Sequence, residues 1–258
     1  MRFDHVHLTA QGKVAVIALS HPETVNALSA GMMADLHKAL DHVEAANFRA
    51  VILTGEGRGF CSGADLGELP KRQAADAGET LEQLYHPALR RLRDLKMPLV
   101  TAINGPAVGI GVSFALMGDL IVAGASAYFL LSFSRIGLVP DGGVTWLLPR
   151  LIGLARAREM ALLAEKLPAK QALEWGLINR VADDARLMEE AMALAERLVE
   201  GPAALRLTRK LFWESPHNSY EEQLGQEKAA QSRAGVTQDF WEGLAAFQQK
   251  RLPNFRGE

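Results

Sequence analysis

Four short apolar runs, each closed by a turn or a helix-forming stretch, constrain this chain more than any other feature. They are Val14-Ala15-Val16-Ile17-Ala18-Leu19, Ala50-Val51-Ile52-Leu53-Thr54, Leu99-Val100-Thr101-Ala102-Ile103 and Leu120-Ile121-Val122-Ala123. A strand with one wet face alternates polar and apolar residues, whereas an unbroken apolar run belongs to a sheet covered on both faces. Helical patterns lie between the runs. Ser29 is placed as the N-cap of a helix carrying Met32, Met33, Leu36 and Leu40 on one stripe. Leu81 to Leu95 reads as a helix that Pro98 stops, and Asn104-Gly105-Pro106 reads as a turn into a helix around Gly111 to Met117. Buried strand, loop and helix in alternation define an α/β fold with crossover connections. Beyond about residue 150 the character changes, and helices are expected at 156–165, 169–175, 186–200, 203–214, 220–234 and 239–250.

Composition narrows the function. The 258 residues are enough to bury a core without covalent staples, and the single cysteine, Cys61, allows no internal disulfide, which fits a reducing compartment. Lys and Arg number 28 against 30 Asp and Glu, so no basic excess is available for a nucleic-acid backbone and a small-molecule partner is expected. Val112 to Phe133 is apolar enough to raise a membrane span, but Asp119 stands in its middle with Gly118 and Gly124 beside it. A buried helix followed by short strands accounts for it better. The opening Met1-Arg2-Phe3-Asp4-His5 shows no secretory pattern, and a cytoplasmic protein that binds no membrane is expected.

Four glycine-containing loops are candidates for chemistry. Gly55-Glu56-Gly57-Arg58-Gly59 has the wrong spacing, and no following helix start, for a dinucleotide fingerprint. Cys61-Ser62-Gly63-Ala64-Asp65-Leu66 is open to a bland reading, a small buried cysteine with an aspartate capping the next turn; no histidine is paired with Cys61 in sequence to make it a nucleophile. Asn104-Gly105-Pro106-Ala107-Val108-Gly109-Ile110-Gly111 runs from strand to helix, where glycine lets backbone approach a ligand and free N–H groups favour negative charge. In Gly137-Leu138-Val139-Pro140-Asp141-Gly142-Gly143, Asp141 reads either as an acid/base or as the N-cap of the next helix.

Taken together, the last three loops resemble the enoyl-CoA hydratase/isomerase (crotonase) superfamily. Gly118-Asp119-Leu120, Ala172-Leu173-Glu174-Trp175-Gly176-Leu177-Ile178 and Phe247 with Lys250-Arg251 continue the match in order, from about Val14 to Phe255. The resemblance implies a crotonase-like ββα spiral core over residues 1–200 and a helical C-terminal trimerisation region over 201–258, assembled as a homotrimer or a dimer of trimers. It also implies an acyl-CoA thioester as substrate, with no further cofactor and no metal. The thioester oxygen is then expected between the backbone N–H groups of Ala64 and Ile110, with Ser62, Gly63, Asp65, Leu66, Gly109 and Phe133 around the substrate. By the same resemblance Phe247 and Lys250 reach the CoA adenine and phosphate of a neighbouring subunit. Pocket walls are expected from the stretch Glu68 to Leu84 and from the C-terminal helices.

The resemblance also bears on the reaction. Hydratases of the family carry two glutamates that handle water, and the matching positions here are Ser113 and Phe133. The run from Phe133 to Arg150 is closest to the ring-epoxide phenylacetyl-CoA isomerase and Δ3-Δ2-enoyl-CoA isomerase branch, in which the aspartate matching Asp141 is the acid/base. Gly143-Val144 departs from the two glycines usual there. An isomerase with Asp141 as acid/base, its pKa raised by apolar neighbours such as Leu130, Phe133 and Trp146, is therefore expected. The alternatives are an enoyl-CoA hydratase with water held by Asp141 and Ser113, a thioester hydrolase, or a non-catalytic acyl-CoA-binding subunit. His86 is expected to be a surface or core histidine, and Asp65 and Asp119 structural caps. Phe240, Trp241, Leu244 and Phe247 are read as core or subunit packing.

Overall fold

The computed structural model describes residues 1–67 and 76–258, so part of the expected pocket wall, residues 68–75, lies outside the described residues. The four apolar runs are strands of one sheet. Among the described residues its order is β1 (Val6–Gln11), β2 (Val14–Leu19), β3 (Ala50–Gly55), β4 (Leu99–Ile103), β6 (Leu120–Gly124) and β9 (Arg180–Ala182). β1 is antiparallel to β2 and every later pairing is parallel.

The lack of polar alternation in these strands has the expected cause. Ala15, Ile17, Leu19, Val51, Leu53, Leu99 and Ile103 point into one core, shared with Met32, Met33, Leu36 and Leu40 of α1 (Ala30–Ala45). The intervening residues Val14, Val16, Ala50, Ile52, Val100, Ala102 and Val122 fill a second core under Leu187, Ala191, Leu194 and Ala195 of α8 (Leu187–Val199). Each Val, Leu, Ile or Met side chain among them contributes about 1.5–3 kcal/mol when taken from water. Ser29 caps α1 as expected, its side chain accepting from the Met32 N–H at 3.1 Å.

A second, three-stranded sheet was less legible. It orders β5 (Pro106–Val108), β7 (Tyr128–Leu130) and β8 (Leu167–Pro168), and Cys61 joins β5 through an isolated parallel bridge to Ala107. The chain thus lays one strand in the large sheet and then a short one beside the previous turn's, before each helix. That gives successive ββα turns: β4, β5, α4 (Ile110–Ala115), then β6, β7 and α5 (Val144–Ile152). Asn104-Gly105-Pro106, expected to lead straight into a helix, instead turns into β5. Three residues are too few for periodicity to show. The expected helix from Leu81 is also modified: α2 (Ala77–Thr80) runs into a π turn over Leu81–Tyr85, and α3 (His86–Asp94) follows with Pro87, which lacks an N–H, near its start.

The remaining helices are α6 (Leu154–Leu163), α7 (Ala169–Trp175), α9 (Ala204–Glu214), α10 (Tyr220–Ala234) and α11 (Gln238–Gln249). Asp119 and Arg209 fasten α9 to the core. The Asp119 carboxylate accepts from the Leu99 N–H at 2.7 Å and from Arg209 Nε at 2.6 Å, while Arg209 also donates to the carbonyls of Leu92, Arg93 and Leu95. Asp119 is therefore structural, as expected. Phe240, Trp241, Leu244 and Phe247 are exposed in the single chain and do not belong to its own core. No helix among the described residues is long and apolar enough to cross a membrane.

Arg209 is almost fully buried, so truncating it leaves three carbonyls without this donor and the Asp119 carboxylate without its counter-charge. Arg209→Ala is expected to cost about 3–5 kcal/mol, read as a lower denaturant midpoint with an unchanged far-ultraviolet spectrum before the transition.

Candidate active site

The second sheet builds the site through its register. Cys61 pairs with Ala107, and Ala107 with Phe129, so residues a fixed number of positions further on come out side by side. Three residues on are Ala64, Ile110 and Ser132; Phe133 comes next. Val108 N–H donates to the Cys61 carbonyl at 2.9 Å and Gly109 N–H to the Leu130 carbonyl at 2.8 Å, which extends the pairing to the loop tips. A Cβ on Gly63 would lie 2.9 Å from the Val108 carbonyl oxygen, so the two backbones touch there. Gly109, at φ 55° and ψ −130°, adopts a conformation open only to glycine.

Past these glycines stand the Ala64 and Ile110 N–H groups. Ile110 is the first residue of α4, where an N–H has no intrahelical acceptor, and among the described residues neither amide is hydrogen-bonded. Two fixed, unpartnered donors on adjacent loops suit an oxygen on which negative charge develops. Phe133 is 6% exposed, and its ring tip lies 3.9 Å from where a Gly109 Cβ would stand, so it walls the same corner.

The loop around Asp141 packs on α4 from the other side. Ser113 Oγ donates to the Asp141 carbonyl at 2.9 Å, and a Cβ on Gly142 would meet Ser113 Oγ at 2.7 Å and Ile110 Cγ1 at 3.1 Å. Ser113 is fully buried and its hydroxyl proton is used in holding this loop, which counts against the expected alternative that it holds water. The capping alternative for Asp141 also fails: α5 has Gly143 at its N-cap and no side-chain cap, and Asp141 contributes only its carbonyl, to the Val144 N–H. Asp141 Oδ1 is buried without a hydrogen-bond partner. Burial raises the carboxyl to a pKa of about 6, opposed by the charge of His86.

Beside this loop opens a cavity of about 980 Å³. Gly142, Gly143, Trp146 and Leu147 form one wall, His86 and Leu89 of α3 another, and Trp213 of α9 a third; Ala64 and Ile110 are not among its lining residues. Trp146 stacks on Trp213 (centroids 6.2 Å, 6° between planes) and on His217 (5.4 Å, 17°), with Arg150 over the ring at 4.2 Å.

The other expected site residues divide. Ser62 is tied down, its hydroxyl donating to the Thr24 carbonyl at 2.7 Å and its N–H to Val25 at 2.9 Å. Asp65 accepts from the Gly67 N–H at 2.9 Å, a turn-capping contact, and Leu66 is half exposed. Lys250 ends α11 in the left-handed region, with no side-chain partner among the described residues and no place in this cluster within one chain. Burial pushes the Cys61 thiol up to about 12, so it is no nucleophile.

Sequence reasoning missed Asn26. Fully buried and left-handed (φ 57°), it donates to the carbonyls of Glu56, Gly59 and Phe60 and accepts from the His21 N–H, fixing the loop that leads to Ala64. Val25 before it also has positive φ, a strained state for a β-branched residue. Asparagine's tolerance of that conformation was the only available signal. Among the described residues no group of three or more His, Cys, Asp or Glu side chains is placed to hold a metal ion.

Successive ββα turns, two free amides on adjacent loops and a half-buried carboxylate with one unpartnered oxygen fit a crotonase-type acyl-CoA enzyme. The chain belongs to the enoyl-CoA hydratase/isomerase family, whose model matches residues 9–258. It is 42% identical over 250 residues, 95% of each chain, to the 1,2-epoxyphenylacetyl-CoA isomerase of Escherichia coli (strain K12). A Rhodobacter capsulatus protein described as "Probable enoyl-CoA hydratase" is 42% identical over 245 residues, again 95% of each. The crystal structure of an enoyl-CoA hydratase from Bacillus anthracis superposes with a TM-score of 0.91 at 32% identity, covering 99% of this chain and all of that one.

Because Cys61 is buried and its thiol is disfavoured as the anion, iodoacetamide at pH 8 is expected to leave the folded protein unlabelled and to label it fully in denaturant, by intact mass.

Proposed function

We propose that the protein is an acyl-CoA isomerase that moves a double bond, or opens and rearranges an equivalent ring epoxide, next to the thioester, with Asp141 as its acid/base. The observation that carries this reading is the half-buried Asp141 carboxyl, whose Oδ1 is buried without a partner and whose pKa is raised to about 6. A carboxylate with ordinary acidity is a poor base, and one near 6 can both take and return a proton close to neutral pH.

For a 3-enoyl-CoA the steps balance with one carboxylate. Asp141 removes a proton from the α-carbon, and the electron pair moves onto the thioester oxygen as a dienolate. The N–H groups of Ala64 and Ile110 hold that oxygen, at a typical value of about 2.7–4 kcal/mol per donor. The proton then returns to the γ-carbon, which leaves the double bond between α and β. Substituting the Ala64 or Ile110 side chain would not remove its donor. The cavity walled by Leu89, Trp146, Leu147 and Trp213 suits an apolar or ring-bearing acyl group, in keeping with the substrate named for the Escherichia coli relative.

Hydration is the second reading, favoured by the hydratase names among the relatives. Against it, Ser113 is engaged with the Asp141 carbonyl and Phe133 is apolar, so neither supplies the second carboxylate that water addition uses in the family.

Asp141→Asn is expected to lower turnover of a 3-enoyl-CoA by about 10²–10⁴-fold. The wild-type kcat/KM profile should fall below a limb near pH 6, because only the ionised base is active. The linkage has the opposite sign for stability. A carboxyl raised in the folded state binds more protons there than in the unfolded chain, so stability is lost as pH rises from about 4 to about 6. Asp141→Asn should therefore melt higher than wild type at pH 8. A variant that loses turnover and also melts lower would mean that Asp141 is structural.

A further inference from the structure

The direction of the Ala64 amide is set by the segment behind it. Val25 to Leu28 lies alongside Ser62 to Asp65, with Leu28 facing Ala64 in an isolated parallel bridge. Ser62 N–H donates to the Val25 carbonyl at 2.9 Å, Leu28 N–H to the Gly63 carbonyl at 2.8 Å, and Asp65 N–H to the Leu28 carbonyl at 3.2 Å. In parallel pairing a residue bonds to the two neighbours of the residue it faces. Ala64 therefore has its own N–H turned away from Leu28, while Cys61 of the same segment pairs with β5, which leads to Ile110.

The Leu28 carbonyl takes a second donor. Tyr85 Oη donates to it at 3.0 Å, and a carbonyl oxygen has two lone pairs, so both are used. Tyr85 ends the π turn Leu81–Tyr85 and is the buried residue of that turn, 5% exposed. Helical spacing puts it on the inward stripe with Ala88, Leu89 and Leu92 of α3. That stripe is apolar, and a phenylalanine would fill the same space. A phenol buried there needs an acceptor for its O–H, and the acceptor is the carbonyl that backs Ala64. π turns are frequent at functional sites, and the reaction as drawn gives this one no part.

We infer that Tyr85 is a positioning residue of the reaction: by holding the Leu28 carbonyl it fixes the segment that aims the Ala64 N–H at the thioester oxygen. The inference rests on Ala64 and Ile110 being the donors to that oxygen. Tyr85 acts through Leu28 and Asp65, one hydrogen bond from each side of the carbonyl. Such a role shows in turnover more than in substrate binding, because the oxygen needs its donors most when charge collects on it.

The test compares wild type, Tyr85→Phe, which keeps the ring and its packing, and Leu194→Ala. Leu28 and Tyr85 belong to the first core, whereas Leu194 of α8 lies in the second, so its truncation loosens the fold without touching Leu28. Turnover and KM are measured with a 3-enoyl-CoA. The thioester C=O stretch is read by infrared difference spectroscopy on a bound saturated acyl-CoA carrying carbon-13 at that carbonyl. In wild type the stretch should lie below its value in free acyl-CoA. Tyr85→Phe is expected to move it part of the way back and to lower kcat about tenfold with KM within about twofold. Loss of a whole donor costs more, about 10²–10³-fold. Leu194→Ala should melt lower yet keep the wild-type stretch. A Tyr85→Phe protein that keeps the wild-type stretch overturns the inference, even if it melts lower and kcat falls, because a structural role predicts just that. A stretch that moves back equally in Leu194→Ala overturns it too, since general loosening then accounts for the change. A wild-type stretch no lower than that of free acyl-CoA removes instead the reading of Ala64 and Ile110 as donors, on which the inference rests.

Discussion

The parallel register between Cys61, Ala107 and Phe129 is the constraint on which the site depends. In a parallel ladder equal offsets keep residues abreast, so the loops leaving successive turns emerge together. That is how Ala64 and Ile110, distant in sequence, come to present free amides from adjacent loops. The large sheet contributes by fixing where each turn begins: β3, β4 and β6 are packed on both faces, and each delivers the chain to the next short strand at a set position. The loop tips are then held by groups with no freedom to move, among them Asn26 with its three carbonyl partners and Gly109 in a conformation other residues do not adopt.

Electrostatics at the other side of α4 follow a different logic. Ser113 satisfies the Asp141 main chain and leaves the side chain alone. A carboxylate so placed is destabilised, and its raised proton affinity is the consequence. Stability is given up locally there, as the proposed role of a base near neutral pH requires, while α9 is secured elsewhere by the Asp119–Arg209 pair and its carbonyl partners. The two aspartates show how environment decides role: Asp119 has a guanidinium and an N–H at its oxygen, whereas Asp141 Oδ1 has neither.

Much of this was legible in the amino-acid sequence, for identifiable reasons. Unbroken apolar runs announce strands buried on both faces, and α7 and α10 fall on the expected residues because Gly176 in the left-handed region ends the one and the Ser219–Glu222 capping box opens the other. The second sheet was not legible, since β5, β7 and β8 are three residues or fewer and owe their existence to pairing with distant segments. Ser113 was readable as a missing glutamate but not as the hydroxyl that holds the Asp141 loop, which depends on a contact 28 positions away. His86 could not be placed from periodicity because the π turn before it breaks the helical count. Lone residues such as Asn26 leave almost no trace in a pattern, since their importance lies in carbonyls of another loop.

The central claim is that one carboxylate, Asp141, moves a proton within the substrate and adds no water. Incubating the protein with a 3-enoyl-CoA in oxygen-18-labelled heavy water, and following products by mass spectrometry from the first turnovers, tests it most directly. The account predicts a 2-enoyl-CoA with deuterium at the γ-carbon and no oxygen-18. A 3-hydroxyacyl-CoA carrying oxygen-18, formed as fast as or faster than the isomer, would contradict it and assign the site to hydration.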